Sequence, residues 1–365
     1  MYLKQKKMKL RKIILSVIMA VFAALPAPLS AADGNGGEFN VKEVIFEHLL
    51  DTYKWELPFT HAYVSLPVIV RDYEGGWHVF DSRNLYEKGE YEGFTISHEG
   101  DYPGKIVGKD AEGNIYRPLD LSITKDVSEI ILAAILVLLI FFPMARWYRK
   151  NGNKAPRRFL GAVELIVDMI YSEVIKPVLG KDARKFAPYL LTLFFFILII
   201  NLLGMITVFP GGANLSGNLA VTMVLAILTF LVVNIFGTKH YWKDLFWPEV
   251  PMWMKCPVPL MPLIEVFGAI TKPVALMIRL FANMLGGHMI TLVLVALIFI
   301  FSTLGMAVQS GTAVFSMIFA LFMAVLHLLI CLIQAYVFTM LSTIFISLAR
   351  VHGEEGHEAE NGQNR

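Results

Sequence analysis

Residues 272–288 read KPVALMIRLFANMLGGH and place a single arginine, Arg279, inside a long apolar segment. This segment runs from Pro262 to Gly305, and a second one follows from Thr312 to Leu348. From residue 281 to residue 348 the chain has no Asp, Glu, Lys or Arg and only two histidines. A helix needs about 20 apolar residues to cross a bilayer. The two segments therefore predict two long membrane helices.

The composition of the whole chain excludes several classes of protein. Of 365 residues, 56% are hydrophobic and 17% are charged, and the mean hydropathy is +0.58. The apolar share exceeds that of soluble globular domains. A net charge of +2 provides no basic field for nucleic acid. The two cysteines, Cys256 and Cys331, fall in a predicted loop and a predicted membrane helix, so no disulfide framework is expected.

The N-terminus has the pattern of a secretory signal peptide over residues 1–32. Six lysines and arginines in the first twelve residues precede an apolar run from Ile13 to Leu25, and small residues follow at 30–32. An uncleaved N-terminal anchor is the alternative, although the apolar run is shorter than a membrane span. Both interpretations export the residues that follow.

Residues 33–126 are polar and aromatic and predict a small extracytoplasmic, periplasmic region that contains several strands. Extended runs at Ala62–Val70 and Gly76–Phe80 are separated by turn-forming residues. The region has four histidines at irregular spacing, His48, His61, His78 and His98. Because they form no metal-binding motif, no metal site is expected.

Three further membrane helices precede the two long segments. The first, Ile130–Ala145, ends at a cluster of basic residues, which the positive-inside rule places in the cytoplasm. The helical run Phe159–Gly180 carries charged residues and is expected to lie along the cytoplasmic interface. Residues 186–238 lack Asp, Glu, Lys and Arg, and a turn at 210–214 divides them into two spans.

The expected fold class is an all-α polytopic membrane protein with five transmembrane helices, one interfacial helix and a small β-containing N-terminal region. Residues 127–349 form the predicted membrane domain, and a polar cytoplasmic tail follows at 350–365. The distribution of basic residues predicts a periplasmic N-terminus and a cytoplasmic C-terminus. We therefore expect a multi-pass protein of the inner, or plasma, membrane.

A polar stripe lies on the penultimate helix. Glu265, Lys272 and Arg279 are seven residues apart and share one helical face, and Asn283 lies one turn further on. Arg279 is about 26 Å along the helix from Pro262 at 1.5 Å per residue, close to the bilayer centre. A charge there faces an aqueous path or a partner; an arginine that snorkels to the interface is the alternative.

The last helix carries His327 and Gln334, which share a face because they are seven residues apart. If Gln334 lies level with Arg279, His327 and His288 reach similar depths. An imidazole can accept and donate a proton, so this pair suits a proton entry path from outside. Two buried neutral histidines are the alternative, and His288 points about 180° away from Arg279 on an ideal helix.

The run from Lys272 to His288, with Gln334 downstream, closely resembles subunit a of F-type ATP synthases, and the resemblance extends from about Ile130 to Leu348. It implies a stator subunit whose last two helices are tilted against a rotating ring of c subunits and held by peripheral-stalk b subunits in the lipid bilayer. Such a subunit couples ion passage through two half-channels to ring rotation. It binds no nucleotide or cofactor and is not an enzyme by itself.

The resemblance also assigns roles to the polar residues. Arg279 matches the arginine that separates the half-channels opposite the ring carboxylate. The outer half-channel is expected to contain Asn283, His288, His327 and Gln334, and the inner one Glu265 and Lys272. Relatives commonly have a carboxylate and a histidine at the positions of His288 and His327. Because both residues are histidine here, the way in which protons pass through this pair is left open.

Two other functions are compatible with a polytopic membrane protein. A secondary transporter or ion channel with a midmembrane polar site would use broken helices in an inverted repeat, and no such repeat is evident. A membrane hydrolase or metalloenzyme would need clustered histidines and carboxylates. The coupling ion, a proton or sodium, is left open because the ring's ligands select it.

Overall fold

The computed structural model describes residues 51–56, 63–73, 75–97, 102–109, 115–152, 154–156, 159–206, 214–246, 260–301 and 306–351. The predicted signal peptide and residues 352–365 of the predicted tail lie outside these ranges. The described chain is mostly helical, with a β region before the long helices. A polytopic helical protein with a β-containing N-terminal region is thereby confirmed in outline.

Where the structure describes it, the β region has nine short strands and one helix. The strands are β1 (Lys54–Glu56), β2 (Tyr63–Ser65), β3 (Pro67–Arg71), β4 (Trp77–Asp81), β5 (Glu90–Tyr91), β6 (Phe94–Ile96), β7 (Ile106–Lys109), β8 (Ile115–Tyr116) and β9 (Leu119–Asp120). Helix α1 (Arg83–Lys88) follows β4. All pairs are antiparallel, and the sheets have the orders β1-β2, β4-β3-β9 and β5-β6-β7-β8.

The long helices follow the segments predicted from hydropathy. They are α2 (Lys125–Asn151), α3 (Phe159–Met169), α4 (Lys176–Leu179), α5 (Ala183–Met205), α6 (Leu219–Ile235), α7 (Lys239–Phe246), α8 (Leu260–Phe301) and α9 (Met306–Val351). A π-helical turn, Ile170–Ile175, joins α3 to α4. Among the described residues, Lys125–Asn151, Phe159–Met205 and Val314–Arg350 are long and apolar enough to cross a membrane, and α6 is a shorter apolar helix.

The chain divides into two compact units, and both α8 and α9 contribute to each. The first unit contains residues 1–133, 200–215 and 286–329. The second unit contains residues 134–199, 216–285 and 330–365.

The core of the β region follows the alternation of its strands. In β3, Val68 and Val70 are buried, while Pro67 and Arg71 on either side are exposed. These valines belong to a cluster with Tyr53, Phe80, Leu85, Phe94 and Ile106. The hydroxyl group of Tyr53 donates a hydrogen bond to the Asp120 carboxylate, and burial, together with Asp120, raises the pKa of Tyr53.

Helix α9 buries mostly small and polar residues, together with Phe338 and Ile346, and exposes many large apolar ones. Its buried residues include Ser316, Ala320 and His327 in the first unit and Cys331, Gln334 and Ala335 in the second. Its exposed residues include Phe315, Ile318, Phe322, Leu329 and Ile333. This arrangement is the reverse of a soluble protein and is typical of helices that pack in a bilayer, where small residues allow close approach.

Val68 and Val79 allow a matched test of the β-region core. Val68 is fully buried, whereas Val79 on β4 is 69% exposed. We expect Val68→Ala to destabilise the region by about 2 kcal/mol through lost burial and a cavity. Val79→Ala is expected to change its stability by less than about 0.5 kcal/mol.

The measurement is limited proteolysis of the full-length protein in detergent over a temperature series. Cleavage within the β region should begin at a lower temperature in Val68→Ala than in Val79→Ala. Equal onset temperatures would contradict the assigned core.

Candidate functional site

Arg279 lies on an exposed face of α8. Lys272 and Asn283, seven residues before it and four after it, are exposed as well. The opposite side of this part of α8 is apolar and buried, and it consists of Leu276, Leu280 and Met284. In the part of the chain that the structure describes, Arg279 has no hydrogen-bond or ion-pair partner. The guanidinium group is therefore available to a group beyond the described residues.

The depth that the sequence predicts for Arg279, near the bilayer centre, carries a large free-energy cost. An arginine at the centre of a bilayer costs between about 2.5 and more than 10 kcal/mol when it meets lipid. A guanidinium also keeps its charge at any working pH. At the depth that the sequence predicts for it, Arg279 on the 42-residue helix α8 would therefore require water or an anionic partner on its exposed face.

Asn283 connects α8 to α9 through Gln334. The Asn283 amide nitrogen Nδ2 donates to Gln334 Oε1 at 2.8 Å. Gln334 is buried, and its own Nε2 has no partner among the described residues. Close by, Met284 Sδ and Cys331 Sγ are 3.8 Å apart. The predicted site residues Asn283 and Gln334 therefore lie in direct contact within the second unit.

His288 and His327 form a second α8–α9 contact, within the first unit. Their ring centroids are 5.7 Å apart and the ring planes meet at 70°. The Nε2 atoms of both rings are buried and have no partner among the described residues. Two imidazolium charges at this separation would repel by about 3 kcal/mol at an effective dielectric constant of about 20. The pair is therefore suited to hold one proton at a time.

Gly287 makes room for this histidine pair. A Cβ atom at Gly287 would lie 1.8 Å from Nδ1 of His327, whereas one at Gly286 would have no neighbour within 4 Å. Small residues such as Gly286 and Gly287 allow another helix to approach closely. The structure shows that the space beside Gly287 is filled by the His327 ring.

Glu265 and Lys272 lie in the second unit. On α8 they precede the residues of the Asn283–Gln334 and His288–His327 pairs. Lys272 lines a small cavity with Thr229, Asn234, Tyr241, Pro273 and Phe345. Its Nζ is 6.0 Å from the centroid of the Phe345 ring. Burial, and to a lesser extent the charge of Glu265, raise the pKa of Tyr241. Lys272, one of the two residues predicted for the inner half-channel, thus lies beside Thr229 of α6 and Tyr241 of α7.

The end of α9 is held by contacts that the sequence did not predict. The predicted polar tail begins at Arg350, but α9 continues through Val351. The Arg350 guanidinium forms an ion pair with Asp182 and lies 5.6 Å from the Phe186 ring centroid. The amide of Thr238 also donates to Ala349 O at 3.1 Å. The only sequence signal was a basic residue in the last turn of a helix.

Glu129 is another polar residue that sequence analysis missed. It lies one turn inside α2, is fully buried, and has no hydrogen-bond partner for either carboxyl oxygen among the described residues. The first span predicted from the sequence begins at Ile130, just after Glu129. The available signal was the spacing of Asp126, Glu129 and Ala133, which share one helical face.

The described residues contain no group of three His, Cys, Asp or Glu side chains that could hold a metal ion. His78, the one histidine of the β region within the described ranges, instead pairs with Glu92, with Nδ1 2.7 Å from Oε2. The other three histidines of that region lie outside the described residues.

Known proteins match this chain over most of its length. Residues 128–347 match the family described as ATP synthase A chain, and residues 44–121 match a domain of unknown function, DUF8433. ATP synthase subunit a 2 of Chlorobaculum tepidum is 42% identical over 253 residues, covering 66% of this chain and 67% of the relative. ATP synthase subunit a of Myxococcus xanthus is 37% identical over 264 residues, covering 69% and 82%.

A match to ATP synthase subunit a of an Anaeromyxobacter species extends further, with 31% identity over 353 residues, covering 92% of this chain and 77% of the relative. The family match alone spans more than half of the chain. These findings confirm the resemblance that residues 272–288 indicated: the chain belongs to the F-type ATP synthase subunit a family.

Proposed function

We propose that this membrane protein is the stator subunit that forms two proton half-channels against a ring of c subunits and couples proton passage to ring rotation. The observation that carries the proposal is Arg279, an exposed charge on a long apolar helix that has no partner among the described residues. A surface with this charge is stable in a membrane only when another protein or water covers it. A ring helix with a membrane carboxylate supplies both the cover and the countercharge.

Arg279 acts as an electrostatic gate in this proposal. At about 4 Å a guanidinium attracts a carboxylate by about 4 kcal/mol at an effective dielectric constant of about 20. This attraction favours loss of the proton from each ring carboxylate as it passes. Since arginine does not give up its own proton, it also prevents a direct proton leak between the half-channels.

The polar pairs provide a path on the outer side. Asn283 and Gln334 form one contact between α8 and α9, and the histidine pair forms another. The imidazole rings can relay protons, and the amides can orient water. Glu265 and Lys272 serve the inner half-channel in the same proposal. Relay through histidine favours protons over sodium as the coupling ion.

Family membership and the predicted topology support the rest of the proposal, which concerns the location of the chain, its orientation and its other partners. We place the chain in the plasma membrane with five spans, a periplasmic N-terminus and a cytoplasmic C-terminus. Peripheral-stalk b subunits hold it against the turning ring. The chain itself serves as the ion-translocating component, and ATP chemistry takes place on other subunits.

Substitution of Arg279 tests the gate. In membrane vesicles that contain the whole complex, we expect Arg279→Ala and Arg279→Lys to lower ATP-driven proton pumping by about 100-fold or more, because the permanent charge or its planar geometry is lost. Arg149→Ala, which removes an exposed arginine from the last turn of α2, is the matched control and should pump at the wild-type rate. If both Arg279 variants pump at the control rate, and the c ring copurifies equally with each variant, the gating role of Arg279 is contradicted.

Photo-crosslinking tests the ring interface. A photoreactive amino acid in place of Ala282, on the exposed side of α8 near Arg279, should capture a ring subunit, identified by mass spectrometry. The same amino acid in place of Leu138, which is 66% exposed on α2, should capture lipid instead. Equal capture of the ring from both positions would contradict the assigned face.

Gly287→Ala tests the histidine pair. The added Cβ would overlap the His327 ring, so this ring must move and the relay should be interrupted. We expect proton-driven ATP synthesis to fall by about tenfold, a cost of about 1.4 kcal/mol in the rate-limiting transfer. The control is Gly311→Ala on α9, where an added Cβ meets open space. Wild-type rates of ATP synthesis in both Gly287→Ala and Gly311→Ala would contradict a role of the His288–His327 pair in proton transfer.

A further inference from the structure

Glu129 is a fully buried carboxylic acid near the end of α2 that joins the β region. It is 0% exposed, whereas Leu138 and Phe142 on the same helix are 66% and 71% exposed. Asp126 and Ala133, three residues before it and four after it, are buried too. The buried residues of α2 therefore form one narrow face, and the Glu129 carboxyl group lies in the middle of that face.

Stability of the fold does not explain this residue. Neither carboxyl oxygen of Glu129 has a hydrogen-bond partner among the described residues. A buried carboxylate without donors costs several kcal/mol, and apolar packing of the same volume would avoid that cost. Ionisable residues inside membrane segments are for this reason candidates for proton transfer.

Two charged residues lie beside Glu129 on α2. Lys125 is one turn before it and Asp126 is three residues before it, so both lie near its helical face. The positive charge of Lys125 favours the carboxylate, and the negative charge of Asp126 favours the protonated acid. All three residues belong to the first compact unit, which also contains His288 and His327.

The unpartnered atoms in this unit point to water. Both oxygens of Glu129 and the Nε2 atoms of His288 and His327 are buried without a protein partner among the described residues. Buried polar atoms of this kind are normally satisfied by ordered water. Water held between a carboxyl group and an imidazole group would carry protons from one to the other.

We propose that Glu129 is a third proton-carrying residue of the path, at the end of α2 that joins the β region, and that it exchanges protons with the His288–His327 pair. A proton leaves the carboxyl oxygen and binds an imidazole nitrogen, directly or through water. The carboxylate then takes up the next proton from the solvent side. Lys125 stabilises the carboxylate between these two steps, whereas Asp126 favours its reprotonation. The proposal rests on the ion-translocating function proposed above.

The test measures ATP synthesis by the assembled complex, driven by an imposed proton gradient, as a function of the pH on the outer side. Glu129→Gln keeps the shape of the side chain but cannot release a proton, and we expect the rate to fall by about tenfold. Glu129→Asp should keep most of the rate with an altered pH profile. The matched control is Glu173→Gln, which neutralises an exposed carboxylate in the second unit and should leave rate and profile unchanged.

The outcomes separate this inference from the proposed function. A wild-type rate and pH profile in Glu129→Gln, with Arg279→Ala inactive, would overturn the role of Glu129 alone. Wild-type rates in both would overturn the proposed function itself. If Glu129→Gln fails to assemble, Glu129→Asp decides: an altered pH profile supports the proposal, and an unchanged rate and profile overturn it.

Discussion

The absence of water in the hydrocarbon core of a membrane governs the arrangement of polar groups in this protein. A polar side chain there must pair within the chain, meet water or face another protein. Helix α9 buries Ser316, His327 and Gln334 and exposes large apolar residues such as Phe315, Ile318 and Leu329. Ser316 Oγ and the Nε2 atoms of His327 and Gln334 have no partner among the described residues, so they need water. Arg279 is exposed and has no partner among the described residues. Its exposed face therefore needs water or a countercharge, which the proposed contact with a ring carboxylate would supply.

The contacts between α8 and α9 depend on the size of the residues as much as on their polarity. The His327 ring occupies the space that a side chain at position 287 would fill. Asn283 and Gln334 are short enough to meet at 2.8 Å. Close approach of the helices is thus linked to polar pairing, which is the usual way in which helices associate in lipid. A larger residue at a contact position would separate the groups that are proposed to relay protons.

Other parts of the chain fix the ends of the long helices. Arg350 in the last turn of α9 pairs with Asp182, and Ser347 Oγ donates to Val178 O at 2.9 Å. At the start of α2, the amides of Lys125 and Asp126 donate to Thr52 O and to the Asp51 carboxylate. The β region is thereby bound to the helix that carries Glu129. Its own core is formed by the alternating residues of β3 and their aromatic neighbours.

The sequence by itself determined the long apolar helices, the β-containing region and the family, because hydropathy, strand alternation and the residues from Lys272 to His288 are local patterns. It also indicated that Arg279, Lys272 and Glu265 share a face, since helical periodicity is a local property. The tertiary structure decided which polar groups meet: Asn283 with Gln334, His288 with His327, and Arg350 with Asp182. It also revealed the burial of Glu129, which a spacing of a few residues could only suggest. These contacts depend on the rotation and separation of helices far apart in the sequence, and no local pattern encodes those quantities.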